Sequence, residues 1–119
     1  MIIITNGKQT GFIGDNKIYV GRQNRYYNLS QSPLANPYKV GRDRQRMEAI
    51  EKYRKWLWTQ IKSGNHVIIA ELKTIAWRSL TEDIELVCWC YPDPCHAEVV
   101  RNCVNWILRE MENEFVKFN

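Results

Sequence analysis

The chain has 119 residues, 45% of them hydrophobic and 25% charged, with a formal net charge of +4. These values suit one folded domain over residues 1–119, exclude a disordered chain, and allow a hydrophobic core to close without disulfide staples. No apolar run approaches the roughly 20 residues needed to cross a bilayer, and Met1–Asn6 is too short and uncharged for a secretion signal, so a soluble cytoplasmic protein with no membrane partner is expected.

The first five residues are apolar and β-branched and stop at the turn signal Asn6-Gly7. Residues 9–13 and 17–21 read as two further short strands around Gly14-Asp15-Asn16, which predicts a small amino-terminal β-meander. The third of these strands runs into Gly21-Arg22. A long polar stretch over residues 22–43 follows, and loops of this length in compact domains are often functional. Residues 22–62 hold ten Lys and Arg against three acids, whereas residues 63–119 hold five against nine. That asymmetry points to an anionic partner on one side of the molecule, with solvated helix faces as the plainer explanation.

The clearest helix runs from about Arg44 to Lys62, with Asp43 as N-cap and Ser63-Gly64 as its stop. Met47, Ile50, Tyr53, Leu57 and Ile61 recur at spacings of three and four and define its core stripe. A shorter helix is predicted over Ile69–Leu80, with Leu72, Ile75 and Ala76 inward. Ile84–Cys90 reads as a buried strand ended by Tyr91-Pro92. Asp93-Pro94 then supplies an N-cap and a first-turn proline for a last helix with Val99, Cys103, Trp106 and Ile107 on its apolar face. The order implies a single α/β domain: a mixed sheet with the meander, a right-handed βαβ crossover, and helices packed on the sheet.

All four cysteines, Cys88, Cys90, Cys95 and Cys103, fall in one short stretch rather than being scattered as in a disulfide scaffold. Strand alternation turns Cys88 and Cys90 to one face and Trp89 to the other. Cys95 and His96 sit where a strand hands over to a helix, the usual ligand position of open α/β sheets. Three readings compete. Cys88, Cys90, Cys95 and His96 form an acceptable zinc set, although one residue between the paired cysteines is not the familiar spacing. Alternatively, Cys90 or Cys95 is a thiolate activated by the helix end and His96. A phosphatase loop fits poorly, because His96 stands where its arginine belongs and Pro92 and Pro94 remove backbone donors. The third reading is burial of small thiols, which suits Cys88 and Cys103 best.

At these residues the sequence resembles the domain of unknown function 4326, a family of bacteria and phages. The likeness covers most of the chain and rests on Tyr19-Val20-Gly21-Arg22, Asn36-Pro37-Tyr38-Lys39-Val40, Arg46 with Glu48-Ala49-Ile50 and Tyr53, and Cys88-Trp89-Cys90 followed by Pro94-Cys95-His96. Two departures are Ala35, where the family carries glycine before Asn-Pro, and a longer loop between Arg22 and Ser32. The resemblance implies an α/β fold and a pocket shared by Gly21-Arg22, Asn36-Pro37 and the Cys-His turn, and its phage occurrence points to nucleotide or nucleic-acid chemistry.

The expectation is therefore a domain that binds a nucleotide or nucleotide derivative, as enzyme or sensor. Arg22, Arg42 and Arg46 would neutralise phosphate. Asn36 would hydrogen-bond a base or ribose, and Cys95 and His96, with Cys90 beside them, would be the reactive groups. No cofactor is required unless zinc is bound. The alternatives are a non-catalytic nucleic-acid module, using the basic segment with Tyr26, Tyr27, Trp56 and Trp58, and a small structural zinc module.

Overall fold

The computed structural model of the chain describes residues 1–38 and 43–118. Its elements are β1 (Ile2–Asn6), α1 (Gly7–Thr10), β2 (Lys17–Tyr19), α2 (Asp43–Lys62), α3 (His66–Ser79), β3 (Ile84–Cys88) and α4 (His96–Phe118). The α/β class matches the sequence reading. The sheet has the order β1-β3-β2, and β3 pairs in parallel with both neighbours. Its register sets Ile2 opposite Ile84 and Ile18 opposite Leu86.

The expected meander is not formed, and the sheet is wholly parallel rather than mixed. Asn6 explains the difference. Its Oδ1 accepts the Lys8 backbone N–H at 2.9 Å, which caps a helical turn instead of closing a hairpin. Gly11, at φ 93°, ends that turn in a region that favours glycine. Residues 9–13, expected as a strand, therefore pass through α1 and a bend, and Phe12 lies against Gly7 so closely that no Cβ fits there. β1 and β2 consequently flank β3 instead of each other, and the passage from β2 through α2 and α3 to β3 is a crossover between parallel partners.

Alternation along β3 divides the core in two. Ile84, Leu86 and Cys88 face the helices, packing with Ile2, Ile4, Tyr53, Leu57, Leu72, Ile75, Val100 and Val104. Val87 faces the other way, into a smaller cluster with Phe12 and Leu29 against which Tyr19 and Trp89 pack. One sheet face thus carries the helical layer and the other an aromatic lid. Phe12 and Trp89 rings lie 4.5 Å apart, and Tyr27 and Trp89 5.4 Å.

Three helix details differ from the sequence reading. Met47, assigned to the core stripe of α2, is 59% exposed, and Ala49, Tyr53 and Leu57 form the buried edge. α3 starts at His66 because Asn65 accepts the Ile68 N–H at 3.4 Å. α4 starts at His96 rather than at Pro94, since the Asp93 N–H is spent on the Cys90 carbonyl at 2.8 Å in a preceding turn. Its buried face is Ala97, Val100 and Val104, while Trp106 is largely outside.

Candidate functional site

The carboxyl ends of β2 and β3 open onto one cleft of about 310 Å³. It is lined by Gly21, Arg22, Asn36, Tyr38, Cys90 and His96, together with Tyr19, Gln23, Asn24 and Trp89. Three segments up to 75 residues apart, Gly21-Arg22, Asn36 and Cys90 with His96, line it together. Among the described residues, none that lines it is acidic.

The pocket walls are tied together by short-range chemistry. The β2–β3 ladder continues past Tyr19 through the Val20 N–H, which donates to the Val87 carbonyl at 3.1 Å and carries Gly21 to the mouth. Tyr19 donates its hydroxyl to the Arg22 carbonyl at 2.6 Å and accepts from the Trp89 indole N–H at 2.7 Å. A Cβ on Gly21 would fall 2.4 Å from that hydroxyl, so the close approach requires glycine. Arg22 turns its Nε to the Asn36 carbonyl at 2.9 Å, joining the first loop to the second. Below them, the buried Tyr53 hydroxyl donates to the Leu34 carbonyl at 2.6 Å. On the far side, Asn6 Nδ2 donates to the Trp89 and Tyr91 carbonyls at 3.1 and 3.0 Å and holds the cysteine turn to the end of β1.

Asn36 is 6% exposed. Its Oδ1 accepts the Tyr38 N–H at 2.9 Å, an Asx turn just after Pro37. Its Nδ2 is buried and has no partner among the described residues. A buried amide donor left unpaired costs about 1–3 kcal/mol, which an acceptor brought by a ligand would recover.

His96 Nε2 lies 2.7 Å from the Val20 carbonyl. A carbonyl only accepts, so Nε2 carries the hydrogen, and burial, assisted by the positive charge of Arg22, lowers the imidazole pKa and keeps the ring neutral. Nδ1 is then a bare acceptor, 3.5 Å from the Cys95 sulfur. Tyr53 supports the ring edge-on at 5.0 Å between centroids.

Cys95 is buried, and hydrogen bonding with the neighbouring Cys88 and Cys90 sulfurs pushes its own pKa far up. Cys88 and Cys90 are lowered, chiefly by that hydrogen bonding. One S–H has a single proton and serves one neighbour at a time. Arg46 decides between them, because its guanidinium also donates to Cys90 and attracts its charge, bringing Cys90 to about 6. Cys90, half-buried and at the cleft wall, is therefore the thiol of the corner held lowest. Arg46 is held over this turn by its Nη1 contact with the Pro94 carbonyl at 3.5 Å.

The other sequence candidates lie elsewhere. Pro37 is exposed beside the pocket without lining it, Arg46 stands behind Cys90, and Cys88 and Cys95 are buried beneath the floor. Arg42 falls outside the described residues. Among the described residues no group of three or more His, Cys, Asp or Glu side chains is disposed to hold a metal ion, so the geometry lends no support to Cys88, Cys90, Cys95 and His96 as a zinc set. The aromatics named for nucleic-acid stacking are dispersed: Tyr27 belongs to the aromatic lid, Tyr26 is 89% exposed at a turn, Trp56 packs on Tyr53 and Trp58 on Trp106. Sequence reasoning did not assign Tyr19, Gln23, Asn24, Tyr38 or Trp89 to the pocket. Their signal was adjacency: each stands within two or three residues of an assigned position.

The architecture defines a small α/β domain with a cleft at the carboxyl ends of parallel strands, lined among the described residues by an arginine and no carboxylate, with Cys90 in its wall. The chain belongs to the family described as Domain of unknown function (DUF4326), whose model matches residues 4–106. No curated protein and no solved structure matches it. No helix of the described residues is long and apolar enough to cross a membrane.

Proposed function

We propose that this domain binds a nucleotide or nucleotide derivative in the cleft between Gly21-Arg22, Asn36 and the Cys90–His96 turn. The observation that carries the reading is a pocket whose described lining holds an arginine, no carboxylate, and Asn36, whose buried Nδ2 has no partner among the described residues. A nucleotide supplies what this combination lacks: carbonyl or ring-nitrogen acceptors for a buried amide, and phosphate oxygens for the Arg22 guanidinium, of which only Nε is engaged among the described residues. Trp89 and Tyr38 offer flat apolar surface for a base. His96, neutral and fixed through Nε2, acts as a rigid wall rather than as a proton carrier at neutral pH. A reactive step in this site would run through the Cys90 thiolate, held by Arg46 and by hydrogen bonding with Cys95, rather than through a Cys95–His96 pair.

The test is thermal denaturation in the presence of mononucleotides and dinucleotides. A ligand at about one hundred times its dissociation constant adds about 2.7 kcal/mol, or about 10 °C for a chain of this size. Arg22→Ala and Asn36→Ala are expected to abolish the shift, and a bound ligand is expected to slow alkylation of Cys90. If no nucleotide moves the transition, or if both variants respond as the native chain does, the proposal fails.

A further inference from the structure

A second feature lies on the opposite side of the helical layer from the sheet. Three of the five tryptophans, Trp58, Trp77 and Trp106, are 50%, 67% and 40% exposed. They line two adjoining hollows, of about 370 Å³ between α2 and α4 and about 660 Å³ between α3 and α4, which share Trp106 as their common wall. Trp58 and Trp106 meet edge to face at 6.0 Å. Leu57, Ile61 and Val99 floor the first hollow, and Ile107 and Met111 the second. Scattered exposed apolar side chains need no explanation, but a continuous aromatic groove along a helix marks an interaction surface.

We infer that this groove is the interface of a symmetric homodimer, in which a second copy of the chain docks across Trp106. Charge selects that occupant. At the first end, Lys62 stands over the Trp58 ring at 6.0 Å, and Arg54 lines the wall already paired with Glu51. At the second end stand Glu110 and Glu114, with Lys73 beside them and Arg78 committed to Glu82. A two-fold axis passing beside Trp106 lays the first hollow of one protomer over the second hollow of the other. Lys62 of each then meets Glu110 and Glu114 of its mate, and the three tryptophans are buried between them. A single-stranded nucleic acid following the same groove would have to pass both glutamates.

The α4 residues that line the hollows run from Val99 to Glu114 and extend about 24 Å, and a strip of that length and about 20 Å width covers about 480 Å² on each protomer, the size of a weak and reversible contact rather than of a permanent one.

Sedimentation equilibrium from about 1 to about 300 µM, a range that brackets interfaces of this size, tests the inference. The native chain is expected to dimerise. Trp106→Glu, and separately the more exposed Trp77→Ser, are expected to raise the dissociation constant at least about tenfold while far-ultraviolet circular dichroism stays native. The pair Glu110→Lys with Glu114→Lys is expected to weaken association, and adding Lys62→Glu to restore it. A monomer at every concentration overturns the inference, including one that captures a single-stranded oligonucleotide with quenching of tryptophan fluorescence. A dimer indifferent to both tryptophan substitutions also overturns it, because the contact is then elsewhere.

Discussion

Replacing Tyr53 by phenylalanine isolates one atom of the support beneath the cleft. The ring keeps its place against Trp56 and His96, at 5.5 and 5.0 Å, and only the hydroxyl is lost. That hydroxyl is the sole donor to the Leu34 carbonyl among the described residues, and both residues are 0% exposed. Without it, a buried carbonyl stands unpaired, at a cost of about 1–3 kcal/mol. Unfolding entropy for a chain of this length is about 0.25 kcal/mol/K, so the melting temperature should fall by about 4–12 °C. Because Leu34 lies two residues before Asn36, the nucleotide-induced thermal shift should shrink as well. Urea and thermal unfolding of both proteins measure the first effect, and the ligand screen the second. A Phe variant within about 0.5 kcal/mol of the native chain, the ordinary range for harmless substitutions, would refute the claim that this bond supports the loop.

Iodoacetamide labelling of Cys90 should rise through a midpoint near pH 6, and Arg46→Ala or Cys95→Ala should move that midpoint up. A labelling midpoint in the ordinary thiol range would count against the thiolate assignment. Since the folded thiol is depressed from 9.0 to about 6, the unfolded chain binds more protons between those values; this contribution to stability is therefore complete above about pH 9 and is lost as the pH falls through about 6. Urea midpoints taken across that window should increase with pH. Gly21→Ala drives a methyl group into the Tyr19 ring, so it should break the Trp89–Tyr19–Arg22 chain and cost about 1–3 kcal/mol together with ligand binding, read by the same melting experiment. Leu86→Ala, at the centre of the middle strand, should cost about 2–5 kcal/mol by urea denaturation without altering the Cys90 labelling midpoint.

The parts of the fold legible in the sequence are those where one local pattern has one structural outcome. The run Ile84–Cys88 is apolar and β-branched enough to be a buried strand, and the spacing of Tyr53 and Leu57 admits only a helix. Ambiguity enters where one signal serves two structures. Asn6-Gly7 closes hairpins and also caps helical turns, and only the pairing of β1 with β3 decides between them. Asp93-Pro94 is a sound helix start, but the backbone bond from Asp93 to Cys90 takes up the residue that would have begun α4. Within the site, alternation correctly separated Cys88 and Cys90 from Trp89. What alternation cannot reveal is depth. Burial of Cys95 and the approach of Arg46 from α2 make Cys90 the thiol held lowest, and both depend on contacts between residues more than 40 positions apart.

The central place of β3 also governs how this molecule comes into being. Ile2 must wait for Ile84, 82 residues downstream, before it gains its partner, and Lys17 must wait for Glu85. At about 5–20 residues per second on a ribosome, that is an interval of about 4–16 s in which two greasy edges have nothing to zip against. During synthesis the two helices α2 and α3 emerge before any ladder can exist, and the late arrival of one five-residue segment converts three isolated stretches into a sheet in a single event.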